Sequence, residues 1–269
     1  MANGGILGPA NIPTSTTATG IFNVDEVYAA RKNSIWPQST IPTSGLQLRL
    51  EAWNTSSYAG TGTTWTDLSG NSRNFTIDAR AYNPSQLVPF MDFGGNYGMA
   101  KNSADFALSG AVTYVVWTRM KQFQSDWRTL TRGYGGDHHV IGEFGSWRIG
   151  MYDNDGTAYN DSGLTQDSLV SHNTTRWVAL YIRWYTSSPF MTISYDNTPE
   201  IIRGSSTAAG SQYTRGFGAL GGYHGENVGN PLIGSQFWGD ISAFYAYNRA
   251  LTDVELAQHF EANRARHDR

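Results

Sequence analysis

Apolar and polar residues alternate in short runs along most of this chain, with a period of two. In LQLRLEAW (46–53), Leu46, Leu48 and Leu50 alternate with Gln47, Arg49 and Glu51, which predicts a half-buried strand. AVTYVVWTRM (111–120) is more continuously apolar and predicts a more deeply buried one. FMDFG, HHVIGEF, WRIGMY, RWVALYIRWY, FMTISYD, FGALGGY and FWGDISAFYAYN extend the strand pattern. Between them lie turn sequences: SGNSRN, GGN, LSG, DNDG, TSSP, DNTP and ENVGN. Many short strands with regular turns predict an all-β fold, a two-sheet antiparallel jelly-roll sandwich. The sequence has no internal repeat.

Two segments break this pattern with helical spacing. FNVDEVYAARKNSIWPQS (22–39) places Asn23 as a cap and Glu26 at the third helical position, a capping-box arrangement. Val27, Tyr28 and Arg31 lie about a turn apart, Asn33 can end the helix, and Trp36 is restricted by Pro37. The other helix is LTDVELAQHFEANRAR, opened by Thr252 and Glu255 and given an apolar side by Leu251, Val254, Leu256, Ala257 and Phe260. Arg264, Arg266 and His267 fall near its C-terminus, where cations suit the helix dipole.

Residues 1–21 are rich in Gly, Pro, Thr and Ala and almost uncharged, a composition that does not order itself. The helix that follows has about ten residues and is marginal alone. Together, residues 1–40 are expected to form an extended arm outside a body spanning 41–269. The arm's apolar anchors, Val27, Tyr28 and Trp36, then dock either on the chain's own body or on another subunit.

Composition narrows the picture. Aromatic residues make up 13% of the chain, enough for a large core, while charged residues make up only 15%. The formal charge is −3 with no basic run, which argues against a nucleic-acid partner. There is no cysteine, so disulfides and Cys-based metal or redox chemistry are excluded. The N-terminal residues have no basic or apolar signal region, and no apolar run approaches a membrane span. The absence of cysteine fits any compartment, a reducing cytoplasm included; no signal peptide and no membrane insertion are the expectations.

Four segments in order resemble laminin-G-like, concanavalin A-like domains: TWTDLSGNSRNFTI (64–77), FMDFGGNYGMAKNSADFALSGAVTYVVWTRM, TTRWVALYIRWY with MTISYDNTPE, and FWGDISAFYAYNRALTDVEL. In the second of these the resemblance implies a Gly-turn strand, a short loop and then a buried strand. The arm, GGILGPANIPTSTTATGIFNVDEVYAARKNSIWP, resembles the N-terminal segment of tailed-bacteriophage structural proteins. The resemblance implies a non-enzymatic virion protein of fibre, neck, tail or head-decorating type. It would attach to other virion proteins through the arm, most readily as a homotrimer. Its outward-facing domain would bind a host-surface polysaccharide. A cementing protein without sugar binding and a glycan-cleaving enzyme are the alternatives.

Candidate chemistry is sparse. Retaining glycosidases need two close carboxyl groups, and no E-x-D-x-x-E-like run occurs; Glu143 and Asp240 read as isolated on their strands. His138 and His139 are adjacent, so strand alternation sends them to opposite sides. MYDNDGTAYND lacks the closing Glu of a calcium loop. Asp67 in TDLSGN either closes an Asx turn or, as the resemblance implies, helps hold a structural calcium; no cofactor is otherwise required. Aromatics in Gly/Ser/Asn/Asp-rich segments, above all Tyr97, Tyr134, Tyr159 and Tyr223, are the candidate sugar contacts. Tyr58 and Tyr82 read the same way. The alternative is that these rings cover the sandwich edge or pack between subunits.

Overall fold

The computed structural model describes residues 40–85, 88–94, 99–120, 128–132, 138–142, 148–152, 159–165, 176–185, 191–196, 201–203, 214–222, 237 and 239–267. The chain divides into two compact units: Thr43–Leu251, and the terminal segments Met1–Pro42 with Thr252–Arg269. The predicted arm with Val27, Tyr28 and Trp36 lies outside the described residues, apart from Thr40.

The larger unit is an antiparallel β-sandwich, as the alternating pattern predicts. Its strands are β1 (Leu46–Glu51), β2 (Thr64–Trp65), β3 (Phe75–Ile77), β4 (Tyr82–Asn83), β5 (Phe90–Asp92), β6 (Ala100–Ser109), β7 (Val112–Met120) and β8 (Arg128–Arg132). Then follow β9 (His138–Gly142), β10 (Arg148–Tyr152), β11 (Tyr159–Thr165), β12 (Val178–Trp184), β13 (Met191–Tyr195), β14 (Ile201–Arg203), β15 (Thr214–Leu220) and β16 (Gly239–Tyr247). The first sheet runs β14-β13-β12-β7-β16-β5-β4, with β1 also on β16; the second runs β11-β10-β9-β8-β15-β6-β3-β2. β1 and β5 share one edge of β16, because β5 pairs at Asp240 and Ile241 and β1 from Ala243 onward.

Aromatic rings join the two sheets. Phe217 of β15 packs on Tyr114 of β7 and Phe244 of β16, with ring centroids 5.4 Å away in each case. Phe75 and Phe106 close around the same ring from the second sheet, and Trp184 meets Tyr114 edge-on at 4.8 Å. A register shift at Ser242 lets Ile241 and Phe244, three residues apart, both enter the core.

The central strands of the first sheet, β7, β12 and β16, are buried on both faces. Val115, Trp117, Tyr181, Tyr245 and Tyr247 alternate with the core residues of their strands and so point away from the intersheet core, yet each is buried. This explains why AVTYVVWTRM and RWVALYIRWY lack polar alternation.

β6 differs from the sequence reading, which placed a short loop in this region. AKNSADFALS instead forms ten residues of strand between β3 and β15. Its pattern is obscured because the register slips: Phe106 pairs with Phe217, but Lys101 already pairs with Ala219. The extra β6 residues sit in that irregularity, where Asn102 accepts the Ala104 amide.

The terminal unit contains helix α1 (Asp253–Asn263), and its capping box forms as predicted. Thr252 accepts the Glu255 amide, and Glu255 accepts the Thr252 amide. Its apolar side is displaced from the predicted one. Val254 is 77% exposed and Ala257 is exposed, whereas Leu256, His259, Phe260 and Asn263 are buried. Nor is His267 a helix-end cation: it is fully buried, and burial lowers its pKa to about 3. Its Nδ1 lies 2.9 Å from the Asn263 carbonyl, and the Asn263 amide donates to the His259 carbonyl.

Candidate functional site

The DLSGNSR turn after β2 is spent on the protein's own backbone. Asp67 is buried, and its Oδ1 accepts the Arg49 and Ser69 amides. Its Oδ2 accepts the Ser69 hydroxyl and the Arg73 amide. Four donors thus fill the carboxylate, which is the Asx-turn arrangement extended to β1. Asn71 and Arg73 donate to the Gln47 carbonyl, and the Ser69 hydroxyl oxygen lies 3.2 Å from it. Arg73 also lies 4.1 Å over the Phe106 ring, and burial lowers its pKa against the opposing pull of Asp67. Among the described residues, no group of three His, Asp or Glu side chains could hold a metal ion.

The buried carboxylates on the first sheet are likewise paired. Glu51 Oε1 accepts Arg49 Nε at 2.9 Å and the Tyr245 hydroxyl at 2.8 Å. Asn54 and Arg49 donate to its Oε2. Burial, reinforced by Glu51, holds the Tyr245 phenol well above its usual range. Asp196 accepts the Ala179 amide and Arg176, and burial raises its pKa.

Asp240 is not isolated, contrary to the sequence reading. Its register partner on β5 is Asp92, and its partner on β7 is Arg119. Arg119 grips Asp240 Oδ2 through Nε at 2.8 Å and a terminal nitrogen at 2.6 Å. The same guanidinium lies 4.9 Å from the Phe90 ring and 5.1 Å from the Trp177 ring. Strand pairing over more than a hundred residues of sequence makes this cluster, which no local motif announces. Asp240 is fully buried, and its ion pair with Arg119 ties β16 to β7.

The second sheet offers a different surface. Thr64, Thr76, Lys101, Ala219, Arg132 and His138 stand in one register row across β2, β3, β6, β15, β8 and β9. Ala219 precedes core residue Leu220, whose own partner on β6 is core residue Ala100. The row therefore lies on the face away from the intersheet core. Thr64 and Thr76 are exposed, and Lys101 and Arg132 are half-buried. Ala219 is the only apolar member, and it is fully buried.

Of the predicted sugar contacts, Tyr159 opens β11 and pairs with Tyr152 of β10, so it belongs to a strand of this second sheet and not to a loop. Tyr97, Tyr134 and Tyr223 lie outside the described residues, as does Glu143. Tyr58 is buried, donates its hydroxyl to the Gly62 carbonyl and packs 4.7 Å from Tyr82 of β4. Its exposed-loop reading is therefore corrected. His138 and His139 lie on β9, where the register shifts between the pairs Thr131–Val140 and Arg132–His138. Lys101 and Arg132 drew no attention in the sequence because each stands apart from other cations there; only the shared partner Ala219 brings them into one row.

No protein-family model matches the chain, and no curated protein matches it in sequence. Solved structures do match in fold. A Trypanosoma rangeli sialidase in complex with sialic acid matches with a TM-score of 0.56 at 12% identity, over 89% of this chain and 38% of the sialidase. The binding domain of Paraclostridial Mosquitocidal Protein 1 matches at 0.56 and 14% identity, over 80% of this chain and 52% of that one. The receptor binding domain of botulinum neurotoxin C/D mosaic serotype matches at 0.53 and 9% identity, over 82% and 52%. The chain thus spans between about two fifths and one half of these proteins, and what it shares with them is an antiparallel β-sandwich fold.

Proposed function

We propose that this protein is a non-enzymatic structural component of a tailed-bacteriophage virion whose sandwich faces outward and binds a host-surface glycan. The observation that carries the binding reading is the polar row across six strands on the outer face of the second sheet. Within the row Thr64 and Thr76 are exposed and Lys101 and Arg132 half-buried, while Ala219 is buried; the central strands β7, β12 and β16 of the first sheet are buried on both faces. The solved structures that match in fold include two named as binding domains and one holding sialic acid, which supports a recognition role for this sandwich. The non-enzymatic reading draws on the pairing of Glu51, Asp67, Asp196 and Asp240 with arginines, hydroxyls or backbone amides.

In this reading the arm of residues 1–40 attaches the protein to the particle through Val27, Tyr28 and Trp36, and the protein works as a homotrimer. Each site contributes weak binding, of order millimolar, and linked copies convert later contacts into intramolecular ones. No cofactor is needed, because Asp67 already has its four donors; a calcium at that turn would be an addition to the network. The test is retention of the purified full chain on immobilised host polysaccharide, with the polymer sized before and after contact. Retention with unchanged polymer length supports the proposal. Shortened polymer would establish the enzyme, and no retention at any protein concentration would leave a cementing role.

A further inference from the structure

We propose that residues 43–45 and 248–251 form a latch, which fastens the two connections between the compact units to each other and to the first sheet. The latch opens in one step while the sandwich stays folded. The chain passes between the two units twice, after Pro42 and after Leu251. Both passages are tied down within the larger unit. The Asn248 amide donates to the Gly45 carbonyl at 2.9 Å, and Arg249 Nε donates to the Ser44 carbonyl at 2.8 Å. The segments approach so closely that a Cβ on residue 45 would stand 2.8 Å from Asn248 Oδ1. Gly45 also has a φ of 76°, which glycine adopts without strain.

Thr113 of β7 and Arg183 of β12 hold the second segment to the sheet. They are register partners, and both alternate with core residues, so they stand side by side on the outer face. The Thr113 hydroxyl donates to the Arg249 carbonyl at 2.8 Å and accepts the Leu251 amide at 2.9 Å. Arg183 donates to the Leu251 carbonyl at 2.6 Å. Thr113, Arg183 and Leu251 are buried, whereas Asn248 is exposed and Arg249 and Ala250 half-buried. The strand ladder of β16 ends at Tyr247, so side chains replace it over the next four residues. A segment held by so few bonds opens at lower free energy than the strands beneath it. In a virion protein attached through its arm, this joint passes a pull on the arm to the sheet. That consequence rests on the proposed function; the latch itself stands on the bonds above.

The experiment is tryptic cleavage of the purified full chain under native conditions, with the fragment that begins at Ala250 quantified by mass spectrometry. Thr113→Val keeps the side-chain shape and strands the Arg249 carbonyl and the Leu251 amide. Cleavage after Arg249 should rise about tenfold or more, while amides of β12 and β16 keep their slow exchange. Gly45→Ala, which strains the opposite side of the latch, should raise the same cleavage. Cleavage in the unaltered chain as fast as in Thr113→Val would overturn the latch. Faster amide exchange at residues 43–46 in Gly45→Ala, without added cleavage after Arg249, would show two uncoupled passages and overturn it as well. In the unaltered chain, the Asn248 and Leu251 amides should exchange at a common rate, faster than the amides of β16. Exchange of those two amides only at the rate of global unfolding would overturn separate opening. Should either variant lose its thermal transition, this exchange measurement on the unaltered chain decides the matter.

Discussion

Phe217 and Phe244 stack across the two sheets with ring centroids 5.4 Å apart and planes inclined by 15°. Phe217 is also in contact with Tyr114, Phe75 and Phe106, so this one ring holds together residues from five strands, its own included. Phe217→Ala leaves a cavity at the centre of the core. The expected cost is about 3–5 kcal/mol, read as a lower denaturant midpoint. A loss under about 1 kcal/mol would mean that the sheets do not meet there.

Arg119, half-buried beside the Phe90 and Trp177 rings, forms an ion pair with the fully buried Asp240. Asp240→Ala leaves the guanidinium without its counter-charge, at an expected cost of about 3–5 kcal/mol. Replacing both residues with apolar ones of similar volume should cost much less than the single change, because no unpaired charge remains. A double-mutant cycle by urea unfolding distinguishes these outcomes; strict additivity of the two single changes would contradict the coupling.

Asp67 fastens the turn at 67–73 to β1 through four accepted hydrogen bonds. Asp67→Ala strands the Arg49, Ser69 and Arg73 donors and should lower stability by at least about 2 kcal/mol. The measurement is the thermal midpoint with and without a calcium chelator. The hydrogen-bond account expects the chelator to change neither protein. A chelator-sensitive midpoint in the unaltered chain, lost in the variant, would instead assign a calcium to this turn.

His267 sets an acid limit on stability. Its folded pKa is about 3, against 6.5 for the free side chain, so between those values the unfolded chain binds the proton first. The neutral folded form is therefore at no disadvantage above 6.5, and stability falls as pH drops through the window toward 3. The slope from this one residue approaches ~1.4 kcal/mol per pH unit. His267→Gln should flatten the pH profile of the unfolding midpoint in that range, while an unchanged profile would show that His267 is protonated in the folded chain.

The legible parts of this fold were those in which side-chain pattern and local structure coincide. LQLRLEAW became β1, and Thr252 with Glu255 capped α1, because alternation and capping are properties of neighbouring residues. β6 was hidden because its register slip disrupts the period of two. The buried side of α1 was misplaced because His259 and Asn263 fill positions that a hydropathy pattern assigns to apolar residues. The cross-strand relations were the least visible. Lys101 meets Ala219, and Ala219 meets Arg132, only through sheet pairing; Asp92 meets Asp240 by the same means. Such neighbours are set by topology, and nothing in the residues between them records it. The resemblance to laminin-G-like domains rested partly on TWTDLSGNSRNFTI, whose polar side chains are now accounted for as a turn lock.

The central claim is that the outer face of the second sheet is where a glycan binds. Amide hydrogen exchange of the full chain, with and without a retained polysaccharide, tests it most directly. The account predicts slowed exchange in peptides covering β6, β15 and β8, with β7 and β12 of the first sheet unchanged. Protection confined to the first sheet, or no protection at a saturating concentration of a polymer that the chain demonstrably retains, would contradict it.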